Sequence, residues 1–366
     1  MNNLSIKPLG DVIELKYGKP IPSKERLANG KNFIYGANGI LGRTNKFLIN
    51  GEAIIVGRKG SAGQVNRVSG KFWPSDVTYY VLGDKNADID YIYFLLQYLN
   101  LSKLAKGVKP GLNRNDVYAI NAPIPKILDQ KKIAHVLSQS DSLFKKRQRS
   151  ISLLNEYVRS SFLEIFGDPV TNPKGWGKKA LKFFGEIVTG NTPPRNNNDN
   201  YSSNFIEWIK TDNIVVDKIY ITPATEHLSE TGLKKARFVN SGAVLVACIA
   251  GSIESIGRVA IANRKVSFNQ QINAIQPNEK VNSFFLYWLF KISKLYVQNQ
   301  ATRGMKKILT KGEFEKITMI IPPLDLQNKF AEIVLGVENI KQKMLAQSDA
   351  LGLQFQSLMQ KSFSIN

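Results

Sequence analysis

Two short basic strings, 197 residues apart, carry the residue types best suited to chemistry in this chain, and that chemistry is anion binding. Lys106-Gly107-Val108-Lys109-Pro110-Gly111-Leu112-Asn113-Arg114 leads into Asn115-Asp116-Val117, and the pattern returns as Arg303-Gly304-Met305-Lys306-Lys307-Ile308-Leu309-Thr310-Lys311 leading into Gly312-Glu313-Phe314. Basic, glycine, apolar, basic, leucine, basic, acidic and apolar positions keep step. Lys106, Lys109 and Arg114, with Arg303, Lys306 and Lys311, can hold phosphate oxygens through charge and N–H donors. A third string, Val56-Gly57-Arg58-Lys59-Gly60-Ser61-Ala62-Gly63, is also glycine-rich and basic. It adds Arg58, Lys59 and Ser61 to the phosphate-binding candidates. Its backbone amides could cradle a phosphate, and the string also reads as a strand-to-strand turn that needs positive φ; the two readings are compatible.

Other chemistry has little to work with. The two histidines, His135 and His227, fall in different segments, so neither a His-centred triad nor a His-based metal site is supported. The single cysteine, Cys248, follows the apolar run Ala243-Val244-Leu245-Val246-Ala247 and reads as a buried strand thiol, with no disulfide or Cys-rich metal site available. No G-x-x-x-x-G-K-S/T phosphate loop occurs. Asn191-Thr192-Pro193-Pro194-Arg195 lacks the aromatic residue expected of an amino-methyltransferase motif. No catalytic and no metal-binding residue is therefore assigned.

The elements that must position the basic strings are also written twice. The 197-residue offset carries Pro125 onto Pro322, Gln130 onto Gln327, Ile133 onto Phe330 and Ala134 onto Ala331. Residues 1–127 mix short apolar strands with turn signals, and residues 169–323 repeat the grammar. Leu9 to Gly18 resembles Leu181 to Gly190, and Ala53-Ile54-Ile55-Val56 resembles Ala243-Val244-Leu245-Val246. Each is expected to be an α+β unit. Residues 128–168 and 324–366 differ in kind. In the first of them 129–166 contain neither proline nor glycine, and a register in steps of four and three runs Ile133, Leu137, Ser140, Phe144, Arg147, Ile151, Leu154, Val158, Ser161 and Ile165, mostly apolar. The second repeats the seam at Phe330, Val334, Met344, Leu351, Phe355 and Leu358. Two long helices forming a coiled coil are expected. An antiparallel pairing sets Arg147 against Ser348, whereas a parallel one buries Arg147 and Lys341 against apolar groups. The alternative is that each helix simply packs on its own domain.

With 50 Lys+Arg against 29 Asp+Glu, the chain carries a formal charge of +21. That implies a polyanionic partner, and a duplicated basic protein suits a two-part target such as double-stranded DNA. No run is apolar and long enough to span a bilayer, and the amino terminus lacks a signal-peptide core, so an intracellular protein without membrane contact is expected. Base readers are expected where the halves diverge: Lys19, Tyr35, Asn38, Arg43 and Asn45 in the first, and Asn191, Arg195, Asn196, Lys210, Thr211 and Asn213 in the second.

Taken in order, these strings resemble the specificity subunit of Type I restriction-modification enzymes. The resemblance covers essentially the whole chain. It is carried by Val188-Thr189-Gly190-Asn191-Thr192-Pro193, Trp208-Ile209-Lys210-Thr211-Asp212, Ile256-Gly257-Arg258-Val259-Ala260, Asn269-Gln270-Gln271-Ile272 and Ile321-Pro322-Pro323-Leu324, with Tyr35-Gly36-Ala37-Asn38-Gly39-Ile40 and Phe72-Trp73-Pro74-Ser75-Asp76 in a shorter first half. The resemblance implies two α+β target-recognition domains, each reading half of a split DNA site, joined by two helices in an antiparallel coiled-coil spacer with pseudo-two-fold character. It implies a non-catalytic subunit of a cytoplasmic complex. The partners would be two methyltransferase subunits using S-adenosylmethionine and, in the full enzyme, two ATP- and Mg²⁺-dependent restriction-translocase subunits. The interval from Gly190 to Ala243 is 18 residues longer than that from Gly18 to Ala53, so an asymmetric site is expected. An enzyme with an unrecognised site and a scaffold without DNA binding are the competing readings.

Overall fold

A computed structural model describes residues 5–83, 87–301 and 307–364, with Lys307 as backbone only. The chain forms two compact units, one of residues 1–149 with 344–366 and the other of residues 150–343.

The first unit is built on a six-stranded sheet. Its order is Lys16–Tyr17, Thr78–Leu82, Ile49–Gly57, Val65–Pro74, Asn32–Gly36 and Gly39–Thr44. All neighbours are antiparallel except Val65–Pro74 and Asn32–Gly36, which run parallel. Strand alternation explains why the string Ala53 to Val56 is wholly buried. Ile54 and Val56 pack with Tyr91, Ile92 and Leu95 of the helix Ile89–Leu99. Ala53 and Ile55 join Val68 and Phe72 in a second cluster. Asp88 caps that helix by accepting the Tyr91 N–H at 3.0 Å, and Asn100 ends it in the left-handed region.

The second unit repeats the alternation 190 residues later. Val244 and Val246 face a cluster with the helix Ser283–Ile292, while Leu245 and Ala247 face another with Ile209 and Phe268. Its longer middle supplies three of the four strands of a second sheet. One four-stranded antiparallel sheet runs Gly185–Thr189, Ile272–Pro277, Val244–Ala247, Val259–Ile261. The other runs His227–Leu228, Ile206–Ile209, Val266–Phe268, Phe238–Val239. The shared Gly18 and Gly190 mark the same tight crossing in both units. A Cβ there would lie 2.0 Å from the Ser75 carbonyl oxygen, or 2.1 Å from that of Asn269.

Two helices of 40 residues each, Ile127–Phe166 and Leu324–Phe363, contribute to both units. Packing thus groups residues differently from the four successive segments expected from the sequence. The reason is apolar: Ala134, Leu137, Met359 and Phe363 complete the first core, and Val158, Phe162, Phe166, Phe330 and Val334 complete the second. Within the first unit Gln148 donates to the Ser348 hydroxyl at 2.6 Å, and the Phe144 ring faces Gly352. Within the second, Lys341 donates to Asn155 Oδ1 at 3.1 Å, and Phe166 meets Phe330 edge-on at 5.6 Å. Both pairs of segments therefore run antiparallel. The seam residues Ile133, Leu137, Phe144, Ile151, Leu154, Val158, Phe330, Val334, Met344, Leu351, Phe355 and Leu358 are all buried or half-buried. The register differs from expectation by one position, because Gln148 rather than Arg147 meets Ser348. The exposed Gln148 reaches across to satisfy the buried Ser348 hydroxyl, while Arg147 is half-buried.

Candidate nucleic-acid interface

In the first unit the topology brings the two basic strings together. The Lys59 backbone bridges to Gly111, the Gly60 N–H donates to the Pro110 carbonyl at 3.0 Å, and the Leu112 N–H donates to the Arg58 carbonyl at 2.8 Å. Lys106 and Gly111 exchange both backbone hydrogen bonds, which closes the second string into a loop. Arg58, Lys59, Ser61, Lys106, Lys109 and Arg114 thereby come to neighbouring loops. Lys59, Ser61, Lys106 and Lys109 are exposed there, and Lys106 also pairs with Asp116 at 2.9 Å.

Most amides of residues 57–64 are paired within the chain. Those of Arg58 and Lys59 go to the Val77 carbonyl, and those of Gly57, Gly60, Ala62, Gly63 and Gln64 go to Gln64, Pro110, Gly60, Gly57 and Ser61. The string is a strand-to-strand turn in which these seven amides are taken up by backbone carbonyls. Gly60 and Gly63 supply the positive φ that this turn requires, at 77° and 83°. The exposed side chains on this loop include those of Lys59 and Ser61.

Arg58 and Arg114 have features that the sequence did not show. Both guanidiniums lie over the Tyr17 ring, at 5.2 and 5.4 Å from its centroid, and Tyr17 meets Tyr79 edge-on at 5.0 Å. The buried Nε atoms of both arginines have no hydrogen-bond partner. In contrast Arg67, Arg195 and Arg264 each face a carboxylate.

The second unit's basic string is described only in part, since Arg303 and Lys306 lie outside the described residues. Lys311 is exposed at the start of the helix Lys311–Lys316, 3.5 Å from Glu315. It lines an open groove of about 680 Å³ with Arg237, Thr189 and Gln276.

The expected base readers separate into groups. Arg195 and Lys210 converge on Glu226 and on Trp208, with Arg195 donating at 2.7 Å and both cations lying within 5.4 Å of the indole centroid. The hydrogen bond from Lys210, and then that from Arg195, hold the Glu226 carboxyl below its ordinary range. Neither Trp208 nor Glu226 was among the expected site residues. Trp208 opens the string Trp208-Ile209-Lys210-Thr211-Asp212, but nothing in the sequence near Glu226 marks it. Asn196 is exposed and Thr211 half-buried.

Asn213 is corrected: it is buried, accepts the Lys210 N–H at 2.9 Å and donates to the Pro223 carbonyl at 3.0 Å, so its amide builds the loop and is not offered to a base. Asn191 is likewise spent on the backbone, donating to Lys235 and accepting from Arg237. In the first unit Arg43 lies over Phe33 at 4.3 Å, while Asn45 accepts the Lys31 N–H. Lys19 and Asn38 are exposed. Tyr35 is half-buried against Phe72, and desolvation raises its phenol above the ordinary value. Among the described residues, no group of three or more His, Cys, Asp or Glu could hold a metal ion, and no helix is long and apolar enough to cross a membrane.

The Type I restriction modification DNA specificity domain model matches this chain twice, over residues 1–154 and 173–347. The chain belongs to that family. Among specificity-subunit relatives, the HindI subunit of Haemophilus influenzae is 29% identical over 170 residues, covering 45% of this chain and 36% of that protein. The chain therefore matches about a third of that relative's length. The MjaVIII specificity subunit of Methanocaldococcus jannaschii is 24% identical over 368 residues, covering 92% of this chain and 79% of that one. The Type I S subunit from M. genitalium shares the fold, with a TM-score of 0.68 at 16% identity over 100% of this chain and 98% of that one. A chain from a study of complex assembly and conformational transition in the Type I system gives a TM-score of 0.54, also at 16% identity, over 98% and 96%. The specificity-domain fold thus accounts for both units and for the long helices.

Proposed function

We propose that this specificity-domain protein reads an asymmetric bipartite DNA site, one half through each unit, and docks two methyltransferase subunits without catalysing a reaction itself. The observation that carries the reading is the stitching of two basic loops, 57–63 and 106–112, into one patch of the first unit. Clustered cations of this kind supply the sequence-independent part of DNA affinity. In the second unit Arg195 and Lys210, fixed by Glu226 beside Trp208, present directed donors of the kind that discriminate bases. S-adenosylmethionine would be held by the methyltransferase subunits, and ATP with Mg²⁺ by two restriction-translocase subunits, all within the cytoplasm. A neighbour from a study of Type I complex assembly supports the docking.

The test is to express the chain with its methyltransferase partner, exchange residues 175–322 for the same unit of a relative, and sequence the methylated sites. One half of the site should change while the other stays fixed. Methyl transfer by the purified chain alone, or altered preference at both halves, would overturn the reading.

A further inference from the structure

Tyr17 is 48% exposed, yet its ring is not idle. Its strand, Lys16–Tyr17, pairs with Thr78–Leu82 so that Tyr17 lies opposite Tyr79, whose hydroxyl donates to the Leu112 carbonyl at 3.0 Å. That bond ties the tyrosine pair to the second basic loop. Arg58 arrives from the first loop and Arg114 from the short helix Arg114–Tyr118, and each guanidinium lies over the Tyr17 ring, at 5.2 and 5.4 Å from its centroid, with Arg58 also 6.0 Å from the Tyr79 centroid and Arg114 5.8 Å from that of Tyr118. Two cations held around one ring repel unless something compensates. The ring face compensates in part by cation–π attraction. Among the described residues no carboxylate lies within ion-pair distance of either guanidinium, and neither makes a side-chain hydrogen bond. Two planar donor sets without an acceptor fit a phosphate group, which offers several acceptor oxygens and the missing negative charge.

The second unit builds the same place differently. Its Leu309 N–H donates to the Cys248 carbonyl at 2.8 Å, as Leu112 does to Arg58, so Cys248 is the counterpart of Arg58. Thr189 lies opposite Asn273 as Tyr17 lies opposite Tyr79, and the two side chains hydrogen-bond at 2.6 Å. Burial pushes the Cys248 thiol up to about 12, while hydrogen bonds from Asn273 act the other way. The Thr189, Asn273 and Cys248 side chains form a neutral, hydrogen-bonded group where the first unit has Tyr17, Tyr79 and Arg58.

We infer that Tyr17 is a positioning residue that gathers Arg58 and Arg114 into one seat for a single backbone phosphate of DNA; in the second unit Thr189, Asn273 and Cys248 stand where Tyr17, Tyr79 and Arg58 do, and Lys311 alone keeps the cation of the Arg114 position. The inference rests on the DNA-reading function proposed above and divides the electrostatic grip unequally between the units.

The experiment measures binding of the full chain, in complex with its methyltransferase partner, to a duplex carrying the mapped methylation site and to a random-sequence duplex, across a salt series. Tyr17→Leu should lower the slope of log affinity against log salt by about 0.9, the value of one phosphate contact. Tyr17→Phe, which keeps the ring, should retain the wild-type slope. Arg58→Gln with Arg114→Gln should lower it similarly, and adding Tyr17→Leu to that pair should change nothing further. If Tyr17→Leu fails to fold, Tyr17→Thr, which puts the residue of the corresponding second-unit position there, carries the same test: the slope should fall by the same amount, and a wild-type slope would overturn the inference. An unchanged slope in Tyr17→Leu, or a changed order of sequence preference, overturns the inference. Wild-type complex without salt-dependent DNA binding would instead overturn the function on which it rests.

Discussion

Gln130 and Gln327, 197 residues apart, make the same two hydrogen bonds, one set in each unit. Gln130 accepts the Asp88 N–H at 2.9 Å and donates to the Pro125 carbonyl at 2.9 Å, whereas Gln327 accepts the Asn282 N–H at 2.9 Å and donates to the Pro322 carbonyl at 2.8 Å. Asp88 and Asn282 each cap the aromatic helix of their unit. Each glutamine therefore fastens the first turn of a long helix to the helix that packs on its sheet. Both are fully or almost fully buried, so the bonds have no competition from water.

Gln327→Leu should be costly, because it strands a helix-cap N–H and a buried carbonyl at about 1–3 kcal/mol for each unpaired group. Gln130→Leu should show a loss of similar size. Urea unfolding of each variant measures it. A change within about 0.5 kcal/mol, the range of ordinary surface substitutions, would show that the latch is dispensable.

Glu226 holds Arg195 and Lys210 beside Trp208, so Glu226→Gln should release both cations without removing them. Affinity for random DNA should hold or rise as the local charge becomes more positive. Affinity for the cognate site should fall, because the donors are no longer fixed. The ratio of the two dissociation constants, taken at one salt concentration, is the measurement, and an unchanged ratio would remove Glu226 from the reading surface.

Cys248 should be inert to thiol reagents in the folded protein. It is 2% exposed, and desolvation by burial raises its thiol to about 12, leaving almost no thiolate at neutral pH. Labelling should proceed only at the rate of unfolding and become fast in denaturant. Rapid modification under native conditions would mean that this strand opens locally.

Glu207 ties the second sheet of its unit together. It accepts from Arg264, with one contact at 2.8 Å, and from the Ala224 N–H at 2.8 Å. The Arg264 hydrogen bond is the main cause of its lowered pKa, opposed by desolvation and reinforced by Ala224. A carboxyl depressed in the folded state contributes stability above its unfolded pKa and loses it as pH falls through the folded value. Acidification from the ordinary carboxylate range downward should thus cost the wild type more stability than it costs Glu207→Gln. Parallel unfolding free energies for both across that range would show that the pair does not contribute.

The sequence by itself determined the features that depend on local order. The 197-residue repeat, the alternation through Ala53 to Val56 and Ala243 to Val246, and the heptad seam from Ile133 onward are periodic, and periodicity fixes which face of a strand or helix turns inward. The antiparallel sense of the long helices was legible for the same reason, since charged and small polar seam residues constrain what can lie opposite them. Tertiary structure alone decided which polar residues remain available. Asn213 and Asn196 look alike in the chain, yet a loop closing on Pro223 consumes the first amide and leaves the second exposed. It also decided the one-position shift that puts Gln148 on Ser348, because register is set by the whole packed interface rather than by one pair. Tyr17 shows the limit most clearly: residues 17, 58 and 114 share no local pattern. Only strand pairing and loop stitching place them around one ring, because the energy that gathers them lies in long-range backbone hydrogen bonds and core packing.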